Sequence, residues 1–250
     1  MPVASCNGQR GRLSSFSPFH RPFFGRGTSS VVFTMPIVLY YLVGSPPCGF
    51  IWSLAKEIGV QVCLKELDFA KREHLGEDFL KLNPFHKVPT IDDDGFVVYE
   101  SNAIAYYLLR RYAPGSVLYP TCVKERTRID QVLACASCNI HPDLATFLRP
   151  RVFDSTKPTA EEVTALEKNV IKGIENLIGD GKFAVGDKLT IADLCLIGHV
   201  VLALENGSVN KDNYPKLAGY YEHVKSELPY FDQVYGPAID SAKRVWARLK

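Results

Sequence analysis

Pro36-Ile37-Val38-Leu39-Tyr40-Tyr41-Leu42-Val43-Gly44-Ser45-Pro46-Pro47-Cys48 is the stretch that decides how this chain is read. Residues 37–43 are apolar, with β-branched and aromatic side chains, as in a buried strand. Gly44-Ser45-Pro46-Pro47 stops the run abruptly. Beyond it Phe50, Ile51, Leu54, Ala55 and Ile58 recur at helical spacing, which predicts a helix over about 49–59. Pro46 and Pro47 suit its first turn, because those positions need no N–H and want φ near about −65°. A strand feeding a helix in this way puts Ser45 at the helix N-terminus. Unpaired N–H groups and the positive end of the helix dipole favour an anion there.

Two further segments extend the pattern. Asn83-Pro84-Phe85-His86-Lys87-Val88-Pro89-Thr90-Ile91 leads into a strand, and Phe96-Val97-Val98-Tyr99 runs into Glu100-Ser101-Asn102-Ala103-Ile104. Asp92-Asp93-Asp94-Gly95 between them carries the Asp-Gly signature of a tight hairpin turn. With a strand over about 60–68, a helix over 76–83, strands near 88–92 and 96–100, and a helix over 102–113, the order is β-α-β-α-β-β-α across residues 35–116. From Val123 onward only helical patterns occur, so residues 117–250 form an all-α unit and the fold class is α+β. A helix over 159–178 opens with Thr159 and Glu162 at capping-box spacing, and Gly179 closes it. Thr190 and Asp193 cap another helix, rich in apolar residues.

At 250 residues the chain can bury a sizeable core. Its net charge of +2 is unevenly distributed, because residues 1–34 contain Arg10, Arg12, Arg21 and Arg26 and no acids, leaving the remainder at −2. Nothing in that remainder suggests a nucleic-acid partner. No apolar run reaches the ~20 residues of a membrane span. Seven cysteines at irregular spacing do not form a disulfide framework, which favours a reducing, cytoplasmic setting. Residues 1–34 are compositionally foreign to the rest. They read as a disordered extension, with a mitochondrial targeting segment as the alternative.

The three motifs together resemble the glutathione S-transferase family, most closely the serine-type delta and epsilon classes of arthropods, over about residues 36–230. The resemblance implies a thioredoxin-like N-terminal domain that binds glutathione and a helical domain that holds a small hydrophobic electrophile. It also implies a homodimer, with glutathione as co-substrate and no resident cofactor. Ser45 is then the catalytic residue, donating a hydrogen bond that stabilises the thiolate, since no His–carboxylate relay is present to make it a nucleophile. His74, His86, Lys87, Val88, Pro89, Glu100, Ser101 and Asn102 become the glutathione contacts. Val88 offers its backbone beside a cis-proline at Pro89, and Glu100 and Ser101 take the γ-glutamyl end. Asn102 stands where the delta-class pattern commonly has arginine.

Carried over from the family, the electrophile pocket comprises Ser137, His141, Leu144 and Phe147, with Leu202 or Leu204 from a later helix. Cys135-Ala136-Ser137-Cys138 with His141 lies inside one predicted helix and lacks a fourth ligand, so no metal is expected. Cys48 occupies the second position of a thioredoxin-type Cys-x-x-Cys motif, but Ser45 at the first removes dithiol exchange. Two rival readings share the fold: a glutathione-dependent peroxidase or isomerase, and a non-catalytic ligand-binding or interaction module.

Overall fold

The computed structural model describes residues 36–249; the extension expected over residues 1–34 lies outside the described residues. Strand β1 (Ile37–Tyr41) is followed by helix α1 (Pro46–Glu57), β2 (Val62–Glu66), the short α2 (Glu77–Leu80), β3 (Thr90–Asp93), β4 (Phe96–Tyr99) and α3 (Ser101–Tyr112). The sheet order is β2-β1-β3-β4. Strands β1 and β2 run parallel through the α1 crossover, while β3 and β4 are antiparallel to their neighbours. Alternation along β1 splits its side chains between two faces. Ile37 and Leu39 join the main core with α1 and α3, and Tyr40 packs with Leu67 and Phe79 on the other face.

The expected helix over 76–83 is a single turn, α2. Gly76 begins it, and Asn83-Pro84 ahead leaves no room to extend it. Helix α1 begins earlier than its apolar period suggested, because both prolines are accepted as its first residues.

The helical unit consists of α4 (Val123–Cys135), α5 (His141–Asp154), α6 (Ala160–Ala165), α7 (Lys172–Leu177), α8 (Ile191–Leu204), α9 (Pro215–Glu227) and α10 (Phe231–Trp246). Wide π turns at Ala136–Ile140 and Leu166–Ile171 join α4 to α5 and α6 to α7 without a break. The predicted 159–178 helix is therefore one rod, with the Thr159–Glu162 capping box at its start. Arg151, buried on α5, forms an ion pair with Glu162.

Helix α8 is the axis of the molecule. All fourteen of its residues are buried, as a helix that is apolar all round requires. Its polar start is satisfied internally: Asp193 accepts from the Thr190 N–H at 2.9 Å, the Ala184 N–H at 2.7 Å and the Tyr220 hydroxyl at 3.0 Å.

The two units are tightly joined. A side chain at Gly198 of α8 would come within 3.0 Å of the Pro46 Cα, so glycine permits this close approach of α8 to α1. Tyr235 of α10 hydrogen-bonds Ser53 at 3.0 Å, and Tyr230 donates to Glu57 at 2.7 Å. Tyr106 of α3 and Tyr119 of the connection that follows both donate to Asp130 of α4, at 2.6 and 2.8 Å.

Candidate functional site

Strand register brings the three sequence motifs to one end of the sheet. Tyr40 near the end of β1 lies opposite Thr90 at the start of β3, and Thr90 lies opposite Tyr99 at the end of β4. The turn leaving β1, the loop entering β3 and the turn leaving β4 consequently share an edge. Each carries one of the motifs.

Ser45 is the N-cap of α1, in extended conformation, and its side chain makes no capping bond to the helix. Gly44 before it has φ +80°, a left-handed conformation that a Cβ would disfavour, and this bends the chain sharply out of the strand. Pro46 and Pro47 have no N–H to offer. The Ser45 hydroxyl is thus the natural donor at this helix end. One turn on, Cys48 is buried; desolvation pushes its thiol up to about 11, opposed in part by hydrogen bonding to Ser45. Cys48 therefore stays a neutral thiol and forms no dithiol pair with serine.

The second motif is held by a residue that the sequence reading quoted without assigning a role. Asn83, fully buried, donates to the Lys87 carbonyl at 2.8 Å and to the Thr90 hydroxyl at 3.1 Å, and accepts from the Phe85 N–H at 2.9 Å. Thr90 also donates to the Lys87 carbonyl at 3.0 Å. This network pins the loop that presents Val88, whose bond to Pro89 is cis. His86 and Lys87 are exposed on the loop, and His86 has φ 47°. His74 lies flat on Phe69 at 4.0 Å between ring centroids, with its ring centre 6.3 Å from that of His86. Burial lowers the His74 pKa, so it is held neutral.

Glu100 and Ser101 stand at the N-terminus of α3. Glu100 is exposed with φ 68° and ψ 113°, outside the regions that ordinary residues favour, and such outliers cluster at ligand sites. Asn102 departs from the expected set. Its amide turns toward the helical unit, donating to the Leu133 carbonyl at 3.5 Å and to the Ser137 hydroxyl at 3.4 Å. Its place one residue into α3 aims the side chain across the interface rather than along the glutathione edge.

Three of the residues expected to line the electrophile pocket lie in the core. Leu144, Phe147 and Leu204 are 1%, 4% and 2% exposed and belong to the core, because they lie on helix faces turned toward neighbouring helices. Ser137 is exposed and His141 half-buried, both at the α4–α5 join. Beside Ser45 lies a cavity of about 70 Å³ walled by Tyr41, Cys48, Trp52, Leu202, Val234 and Ala238. Leu202, one of the two residues expected from the later helix, lines this cavity; the α1 and α10 contributors carried no role in the sequence reading. A clue existed in the amphipathic 231–246 segment, but nothing local shows which helix its apolar face meets. Among the described residues no group of three or more His, Cys, Asp or Glu side chains is placed to hold a metal ion.

The model of the glutathione S-transferase N-terminal domain matches residues 35–110, and that of the C-terminal domain matches residues 133–227. The chain belongs to the glutathione S-transferase family. Solved structures agree. A delta-class glutathione transferase from Nilaparvata lugens is 29% identical, with 86% of this chain and 100% of that one covered and a TM-score of 0.77. An epsilon-class glutathione S-transferase from the housefly Musca domestica is 27% identical, covering 85% and 96%, with a TM-score of 0.75. Glutathione transferase E6 from Drosophila melanogaster is 25% identical, covering 85% and 97%, with a TM-score of 0.77. The thioredoxin-like domain followed by a helical domain is this family's architecture, and the protein is a transferase enzyme acting on glutathione.

Proposed function

We propose that Ser45 is the residue through which this glutathione transferase activates the thiol, and that the edge formed by Val88, Glu100 and Ser101 holds the tripeptide. The observation that carries this reading is the register, which sets the Ser45 turn, the Val88–Pro89 loop and the Glu100–Ser101 helix start side by side. A free thiol titrates near about 8.5, so little is thiolate at neutral pH. A hydroxyl donor aimed at the sulfur stabilises the anion and lowers that value. The Val88 backbone pairs with the cysteinyl unit, while the α3 N-terminus and Ser101 take the γ-glutamyl carboxylate and Glu100 its ammonium. His74, His86 and Lys87 are suited to the glycyl carboxylate. Glutathione serves as co-substrate, with no resident cofactor.

The activated sulfur then uses a lone pair to bond an electrophilic carbon held in the apolar cavity by Trp52, Leu202 and the α10 residues. With a haloarene the halide leaves with the bonding pair. With an enal the π pair moves onto the carbonyl system and is protonated at the α-carbon. The substrate class is small hydrophobic electrophiles, which fits a role in detoxification. We further assign a homodimer and a cytoplasmic location. Edge strand β4 exposes Phe96 (56%), and Phe96 packs on Tyr107, an aromatic edge suited to a second copy. No helix of the described residues is long and apolar enough to cross a membrane.

The test is Ser45→Ala. One hydrogen bond to a developing anion is worth about 1.5–3 kcal/mol, so kcat/KM should fall by about ten- to a hundred-fold or more while glutathione binds within a few-fold of normal. Thiolate absorbance should show the bound thiol titrating nearer to free glutathione. Unchanged turnover and titration would remove Ser45 from the mechanism.

A further inference from the structure

Two thiols stand close together in sequence on one helical rod, and the reaction described above does not use them. Cys135 is the last residue of α4, and Cys138 lies in the wide π turn that follows. Both are free; Cys138 is exposed and Cys135 half-buried. The other free cysteines of the described residues offer no such pair to solvent. Cys48 and Cys195 are buried, and the exposed Cys122 is the N-cap residue at the far end of α4. Cys135 and Ala136 keep α-helical dihedrals, with φ −60° and ψ −42° at the first and φ −59° and ψ −44° at the second. Residues three apart on a helix are neighbours, whereas Ala136 between them turns to the core and is 1% exposed. Single π turns inside α-helices occur frequently at functional sites.

The spacing decides what the pair can hold. A disulfide wants its Cβ atoms about 3.5–4.5 Å apart, while residues three apart on a helix place theirs about 5–6 Å apart. A direct S–S bond would have to draw the helix in; one atom bridging the two sulfurs would not. Zinc is a poor occupant, because its structural sites take four ligands and no group of three or more His, Cys, Asp or Glu is assembled among the described residues. A trivalent arsenic centre with one organic substituent has two bonds left to make. It is soft and takes sulfur in preference to oxygen, so two thiolates complete it.

We infer that Cys135 and Cys138 form a capture site for monosubstituted trivalent arsenicals, in which one arsenic atom bridges the two sulfurs. An arsenous oxide, R–As=O, condenses with both thiols. Two As–S bonds form, the As=O bond and both S–H bonds break, and the oxygen leaves with the two thiol protons as water. Arsenic stays trivalent and neither sulfur is oxidised, so no oxidant or reductant is consumed. Carrying both thiols on one helix makes the second bond an intramolecular step, which raises affinity by about 10²–10⁴-fold over a single thiol. Neither cysteine lines the cavity beside Ser45, and the capture needs no glutathione. It is a stoichiometric binding activity separate from transfer.

The experiment uses the full chain, with phenylarsine oxide as the probe. Titration of the folded protein should lose two thiols for each arsenical bound, and intact mass should gain one phenylarsenic group less two hydrogens. Dimercaptopropanol, a dithiol, should strip the adduct, while glutathione in equal excess should leave it in place. Cys138→Ala, at an exposed helical position, should keep the melting temperature and weaken binding by about a hundredfold or more. Cys135→Ala should weaken it likewise, and Cys122→Ala should bind as the natural protein does. Tight binding retained in Cys138→Ala or Cys135→Ala would overturn the proposal. Release of the adduct by glutathione alone, or no adduct on the natural protein, would overturn it as well.

Discussion

The proposed glutathione edge and the proposed electrophile wall of this enzyme are built on different principles. Backbone forms much of the glutathione edge: a turn after β1, a loop with a cis Val88–Pro89 bond, and a helix start at Glu100 with φ 68°. Each is a local feature written in a few consecutive residues. The proposed electrophile wall is made of side chains from α1, which lies far earlier in the chain, and from α8 and α10, brought together only by helix packing. The first half is shaped by backbone conformation local to each motif. In the second half, a rotation of one helix by a single residue changes the pocket's contents.

The sharpest way to break this contrast is to loosen the glutathione edge from beneath. Asn83→Ala removes three hydrogen bonds from a buried position, takes the partner from the Phe85 N–H and leaves the Lys87 carbonyl with Thr90 alone. Each unsatisfied buried group costs about 1–3 kcal/mol, so a depressed melting temperature and a weakened glutathione affinity by calorimetry are expected together. Normal affinity in a destabilised protein would show that the loop does not carry the site.

The opposite half is probed by Ala238→Leu, which adds volume to a cavity of about 70 Å³. Overpacking costs about 1–3 kcal/mol. The expected outcome is a raised KM for bulky electrophiles, by up to about tenfold, with the glutathione KM unchanged. If both KM values rise together, the two halves are not separable.

A smaller effect is expected at the γ-glutamyl end. Glu100→Ala or Ser101→Ala should raise the glutathione KM several-fold and leave the electrophile KM nearly unchanged, because both residues lie far from the sulfur in the proposed pose. Unchanged calorimetric affinity in both variants would place the tripeptide elsewhere.

The smallest effect concerns pH. His199 keeps a folded pKa of about 3, against an ordinary value near 6.5. Between those values the unfolded chain binds the extra proton and the folded chain does not. Stability attributable to His199 therefore falls as pH drops through that window. His199→Leu should flatten the decline in melting temperature between about pH 6.5 and about pH 4, as read by thermal denaturation. A decline as steep as in the natural protein would mean that His199 is accessible to protons when folded.

Much of this protein was determined by its sequence alone. The strand–turn–helix at Ser45, the Asp-Gly hairpin, the Thr159 and Thr190 capping boxes and the turn from β4 into α3 were legible because turn geometry and capping act between residues a few positions apart. Tertiary structure decided the rest. Leu144, Phe147 and Leu204, expected in the electrophile pocket, lie in the core and are not among the residues lining the cavity beside Ser45; an apolar residue at helical spacing reads the same whether it faces a core or a cleft. Asn102 was read as an anchor, yet its amide crosses to Leu133 and Ser137, a contact fixed only by where α4 docks. Asn83 shows no special signal in a loop until Lys87 and Thr90 close around it. His199 looks like one more residue in an apolar helix until packing sets it beside His141. Short-range chemistry is encoded in neighbouring residues, whereas a wall assembled from distant helices exists only after the core has chosen how those helices pack.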